Sequence, residues 1–215
     1  MKKRYAVLLA VPATVALSAG AAFAVSAGNF QANLKPVPHN AVADGGSDVH
    51  GQASMRLTGR TLAIDLSAKG LTPGESHAMH IHGDTQARNE CPGIDADVNT
   101  GDPIDPSSFI AGMPDGLISL GEGGTEYGPI DVSLTATGDT SPTSGLTLGR
   151  FLTADAKGNI DYHRSVVVPK AVAKNLSNLH IVIHGTDLNG DGSSVDSLFQ
   201  ATLPVACGEI VNTKR

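Results

Sequence analysis

The feature that most limits the fold of this chain is a series of short, strand-length runs, each closed by turn residues. Between Arg60 and Ala68, Leu62, Ile64 and Leu66 alternate with polar or small residues, so one face of a β-strand is apolar. The preceding run, Val49 to Leu57, joins it through Thr58-Gly59, which reads as a hairpin turn. Gly70-Leu71-Thr72-Pro73-Gly74 supplies the next turn, and a histidine-bearing strand follows it. Further strand-like runs cover Ile130 to Ala136, Leu146 to Thr153, Ile160 to Val168, His180 to His184 and Leu198 to Leu203. Ala154 to Asn159 is a second hairpin turn, and Pro169 to Leu176 has the length of one short helical turn. From Gly83 to about Pro129 the chain is irregular and rich in Gly, Pro, Asp and Ser, apart from the short apolar piece Leu117-Ile118-Ser119-Leu120. So long a stretch inside a compact domain is normally functional or mobile. Many short strands and almost no helix predict an all-β sandwich or barrel with long loops.

The N-terminus sets the compartment. Met1-Lys2-Lys3-Arg4 precedes an apolar, Ala-rich run from Tyr5 to Ala24, and small residues follow at Ala22-Phe23-Ala24 and Val25-Ser26-Ala27. A basic start, an apolar core and a small-x-small site predict a signal peptide over 1–27, cleaved between Ala24 and Ala27, and hence a secreted or cell-envelope protein. Pro12 and the Ala/Gly/Ser content argue against a retained membrane span. Residues 28–46 mix Asn, Pro, Ala and Gly without period and read as a flexible leader. The remainder, 47–215, is long enough for one domain with its own core. The formal net charge is −6, and loss of three basic residues with the leader takes it down by three, to −9. An acidic exported domain is a poor fit to nucleic acid or to an anionic membrane. Cys91 and Cys207, an even pair in an oxidising compartment, read as one disulfide.

Chemistry concentrates in His77-Ala78-Met79-His80-Ile81-His82-Gly83. In a strand, His80 and His82 share a face, and two imidazoles so placed are either solvent-facing or a ready pair of metal ligands. A second strand, His180-Ile181-Val182-Ile183-His184-Gly185, lies about a hundred residues further on. These residues carry a resemblance. Lys69-Gly70-Leu71-Thr72-x-Gly74-x-x-His77-x-x-His80-x-His82 resembles the copper-ligand strand of Cu/Zn superoxide dismutases. Cys91 stands nine residues after His82, Thr153-Ala154-Asp155 leads into a hairpin turn, and Ala206-Cys207-Gly208-Glu209-Ile210 closes the chain in the family's manner. The similarity runs from about residue 49 to the C-terminus. It implies a flattened Greek-key β-barrel, copper bound by His80, His82 and His184, His77 bracing that site through hydrogen bonds, and a Cys91–Cys207 disulfide pinning the ligand-bearing loop.

The departures narrow what the resemblance implies. Where the family places the histidine that bridges copper and zinc, this chain has Asp97, either a substitute ligand or a turn residue. Gly145 and Leu148 stand at zinc-ligand positions, so zinc is not expected. Pro204 stands where the family has an arginine that guides superoxide. The histidines His39, His50 and His163 read as ordinary surface residues, and His180 as a satisfied or exposed one. Asp187-Leu188-Asn189-Gly190-Asp191-Gly192 matches the first half of a calcium loop, but Leu198 occupies the twelfth position where a bidentate glutamate belongs. The same segment reads as a plain turn, with Asp187 alternatively hydrogen-bonding a ligand histidine from outside. Three functions stay open: a secreted copper protein able to dismutate superoxide, a copper-sequestering protein without turnover, and a non-enzymatic extracellular module, since His80-Ile81-His82-Gly83 and Val182-Ile183-His184-Gly185-Thr186-Asp187 are also similar to chordin-like domains. The sequence leaves the oligomeric state open.

Overall fold

A computed structural model describes residues 27–39, 48–84, 87–97, 116–188, 191–195 and 198–213. The signal-peptide segment up to residue 26 lies outside these residues, as does most of the insertion after Asp97. The described chain is mostly antiparallel β-sheet, curled into a half-barrel and carrying few helices. Its strands are β1 (Gly28–Pro36), β2 (His50–Thr58), β3 (Thr61–Lys69), β4 (Met79–His82), β5 (Ile130–Ser133), β6 (Ile160–Val167), β7 (His180–His184), β8 (Pro204–Glu209) and β9 (Val211–Asn212). They run in the order β5-β4-β7-β8-β1-β2-β3-β6, with β9 also paired to β1. The helices are α1 (Leu120–Tyr127), α2 (Lys170–Asn175) and α3 (Leu198–Thr202).

The alternation read from the sequence is what the sheet uses. Leu62, Ile64 and Leu66 of β3 are buried, and Asp65 between them faces solvent. Each such side chain contributes roughly 1.5–3 kcal/mol by leaving water. They meet Met55 and Leu57 of β2, Tyr162 and Val166 of β6, and Met79, Ile81, Ile181 and Ile183 in one core. The β2–β3 hairpin closes at Thr58 and Thr61, with Gly59 at φ +63°, a conformation a side chain would strain. Cys91 and Cys207 form the disulfide, with Cα atoms 5.6 Å apart across a separation of 116 residues. It sits in a second apolar cluster with Val37, Ala96, Ile118, Tyr127 and Val182.

Four expectations are corrected. Gly28–Pro36, read as leader, is a strand inside the sheet: Phe30, Ala32 and Leu34 alternate with exposed Gln31 and Asn33, a period-2 pattern that the Asn/Pro-rich composition masks. Leu146 to Thr153 is not a strand. It contains a 3-10 turn at Leu148–Arg150, and only Thr153 makes a bridge, to Ser76. Leu198 to Thr202 is a helical turn, because a short apolar run fits a buried helix as well as a strand. Lastly, the irregular 84–129 stretch contains α1, started by a capping box: Ser119 Oγ accepts from the Glu122 N–H, and the Glu122 carboxylate accepts from the Ser119 N–H. The short helix expected over Pro169 to Leu176 is α2.

Candidate metal centre

Strand β4 divides its side chains between two environments. Met79 and Ile81 point into the main core, so His80 and His82 take the opposite face. Strand β7 pairs with β4 in antiparallel register, Met79 with Ile183 and His82 with His180. The His184 N–H bonds the Ala78 carbonyl, and the register shifts between Ile183 and His184 where β7 meets β8. His184 thereby comes beside the β4 pair. The three rings pack with centroids 5.1–5.6 Å apart, and each residue is 1–3 % exposed. One nitrogen from each lies within 4.8 Å of the others.

Backbone carbonyls fix which nitrogen is free. His80 Nε2 donates to the Gly145 carbonyl at 2.9 Å, His82 Nδ1 to that of Gly128 at 2.8 Å, and His184 Nδ1 to that of Thr202 at 2.8 Å. A carbonyl only accepts, so each of those nitrogens carries the proton and the other ring nitrogen is a lone pair. His80 Nδ1 is buried with no hydrogen-bond partner, and the Nε2 atoms of His82 and His184 lie 3.4 Å apart. Each of the three grouped rings thus keeps one unprotonated nitrogen, the form in which imidazole binds a metal. Burial holds the rings neutral: it takes His82 down to about 3 and His184 to about 4, and holds His80 well below the usual imidazole value, with the neighbouring histidines lowering His80 and His82 further. A buried three-histidine group of this kind can hold a metal ion.

The supports are local. Gly128 ends α1 at φ +83°, where a Cβ would meet the Gly83 carbonyl carbon at 2.9 Å, and this turn delivers the carbonyl that holds His82. At Gly145 a Cβ would come 2.6 Å from Ile130 Cδ1 and 3.1 Å from the Pro142 carbonyl, so the residue at an expected zinc position supplies a backbone oxygen instead. Leu148, the other such position, packs against the main core. His77 lies buried with Nδ1 3.1 Å from the carbonyl oxygen of His184 and Nε2 3.3 Å from that of Thr72, joining the turn before β4 to the end of β7.

The remaining candidates fall elsewhere. Asp97 stands outside the histidine group, and its carboxylate accepts the Gly116 N–H. Asp187 accepts the Gly192 N–H, and Asp191 that of Ser193, as turn residues do. The Thr202 carbonyl, not Asp187, accepts the hydrogen bond from His184 Nδ1–H. Asn189 of the calcium-loop pattern lies outside the described residues. Pro204 begins β8, and its carbonyl accepts from His39 Nε2, while His39 Nδ1 accepts the Ile118 N–H. His39 is therefore a buried structural link and not a surface residue. Nor is His180 satisfied or exposed: it is buried opposite His82, with neither ring nitrogen hydrogen-bonded. His50 and His163 are exposed, the latter 2.7 Å from Asp65.

Compared with known proteins, the chain matches no family model and no curated sequence.

Tyr127 escapes a motif-based reading. Its ring lies 4.7 Å from that of His82 and 6.2 Å from that of His184, and its buried hydroxyl has no partner. Burial pushes that phenol well above its usual value. The Ser119-x-x-Glu122 signature, followed by Gly128, could have placed a helix ending on this residue. The cavity over the histidines, of about 90 Å³, is lined by Ala78, Leu120, Ile130, Leu146, Ala201 and Thr202. These residues come from five separate segments, so no local pattern marks them.

Proposed function

We propose that this chain is a secreted copper-binding protein of the Cu/Zn superoxide dismutase type, built on that family's Greek-key barrel. One observation carries the reading: three buried imidazoles, each oriented by a backbone carbonyl, bring one ring nitrogen apiece within 4.8 Å of one another. Neutral imidazole is a good copper ligand. The ordered match around Lys69 to His82, Cys91, His184 and Cys207 supports copper over other metals, and the disulfide fits an oxidising compartment. Bound there, copper would supply one-electron redox chemistry toward superoxide. The chain's own part is positional. Gly145, Gly128 and Thr202 set the tautomers of the three ligands, His77 braces the His184 backbone, and the packed face keeps the ligands neutral and ready for metal.

A second reading, copper held without turnover, is favoured by the cavity. No charged residue lines it among the described residues, and Pro204 replaces the cation that would draw an anion inward. Local positive potential can raise on-rates about 10–1000-fold, and that gain is forgone here. Zinc and calcium have no part in either reading, and no helix among the described residues is long and apolar enough to cross a membrane.

Copper loading followed by metal analysis tests the site. The wild type takes up about one copper per chain at a three-imidazole centre, and His184→Ala loses it. Equal copper in both proteins refutes the assignment. A superoxide dismutation assay on the loaded protein then separates the readings: activity well above that of free copper supports turnover, and activity no better supports holding.

A further inference from the structure

We infer that the histidine centre prefers a monovalent ion, Cu(I), over divalent ions, and that the apolar rim formed by Leu120, Ile130 and Leu146 sets this preference. The inference rests on the reading of this centre as a copper site. Three observations converge on it.

The donors bring no negative charge. His80, His82 and His184 are neutral, and no aspartate, glutamate or cysteine joins their group among the described residues. Their N–H groups go to the carbonyls of Gly145, Gly128 and Thr202 and not to carboxylates, so no ligand gains anionic character through its hydrogen bond.

The surroundings are buried and largely apolar. The ligand residues are 1–3 % exposed, and the cavity of about 90 Å³ above them is walled by Ala78, Leu120, Ile130, Leu146 and Ala201. The hydroxyl of Thr202, also in that wall, is already donated toward the Leu198 and Phe199 carbonyls. The cost of taking an ion out of water grows as the square of its charge, so a divalent ion of equal size costs roughly four times as much. Among the described residues no carboxylate joins the group to offset that difference.

Coordination number points the same way. Divalent copper takes a tetragonal set of four or more ligands, and divalent zinc takes four. The cavity beside the three histidines is walled mainly by apolar side chains, where a water would lack the two to four polar partners that hold one in place. Three converging nitrogens suffice for Cu(I).

The test is a pair of titrations of the disulfide-intact chain against competing chelators, with Cu(I) under anaerobic conditions and with Cu(II) in air. The same titrations are run on Leu146→Glu and Leu120→Glu. Both positions are exposed at the rim, 52 % and 37 % respectively, so the substitutions leave the core packing in place. The wild type binds Cu(I) more tightly than Cu(II), and at least one carboxylate variant moves the ratio of the two dissociation constants toward Cu(II) by tenfold or more. For a one-electron couple that is about 59 mV of midpoint potential. Leu146→Gln, of the same length but uncharged, stays within threefold of the wild type. Stoichiometric binding that His184→Ala abolishes, but with Cu(II) held as tightly as Cu(I) or with a ratio that neither carboxylate moves, overturns the charge preference and leaves the copper site standing. Binding of neither ion at His184 overturns the copper reading itself.

Discussion

Lowering the pH from 7 to 5 destabilises the metal-free protein, and the buried histidines determine by how much. A free imidazole titrates near 6.5, whereas burial takes His82 to about 3 and His184 to about 4. Because the folded values are depressed, stability is complete above pH 6.5. It falls below that point as the unfolded chain takes up protons that the folded chain refuses. Each residue then costs up to about 1.4 kcal/mol per pH unit until its folded value is reached. Integrated from pH 7 to 5, this is about 2 kcal/mol for each of the two, or about 4 kcal/mol together. That is a large part of the roughly 5–15 kcal/mol by which domains are stable. His80, His77 and His180 are shifted in the same direction and add to the loss. Urea denaturation of the metal-free, disulfide-intact protein at the two pH values measures it, with His82→Gln/His184→Gln as reference. The double variant loses about 4 kcal/mol less than the wild type over this interval. Equal losses in the two proteins would refute the argument that these imidazoles are held neutral by burial.

Two further outcomes follow from the same structure. Cys91→Ser/Cys207→Ser opens a loop of 116 residues and lowers stability by about 4–5 kcal/mol on the chain-entropy scale, read from denaturation curves with the slope fitted separately for each protein. A loss below about 1 kcal/mol would show that the disulfide constrains the unfolded chain far less than its span suggests. Gly145→Val drives side-chain atoms against Ile130 and the Pro142 carbonyl and displaces the oxygen that orients His80. It weakens copper binding about 10–100-fold, as loss of an outer hydrogen-bond partner does. Gly149→Val, where no atom lies within 4 Å of the added Cβ, leaves affinity unchanged.

Local pattern determined much of this protein. The period-2 burial of Leu62, Ile64 and Leu66 specified a half-buried strand, and Thr58-Gly59 its hairpin. The spacing of His80 and His82 put both on one face of β4 without reference to any other segment. Composition misled where it outweighed period, as at Gly28–Pro36, and short apolar runs misled where strand and helix share a pattern, as at Leu198–Thr202. Tertiary structure alone decided the remainder. His184 joins the pair because β7 lies beside β4, 102 residues away in sequence from His82. The free nitrogen of each ring depends on the carbonyls of Gly128, Gly145 and Thr202, which carry no side-chain signature at all. A backbone oxygen is the same in every residue, so the sequence can name the three histidines but not the atoms that aim them.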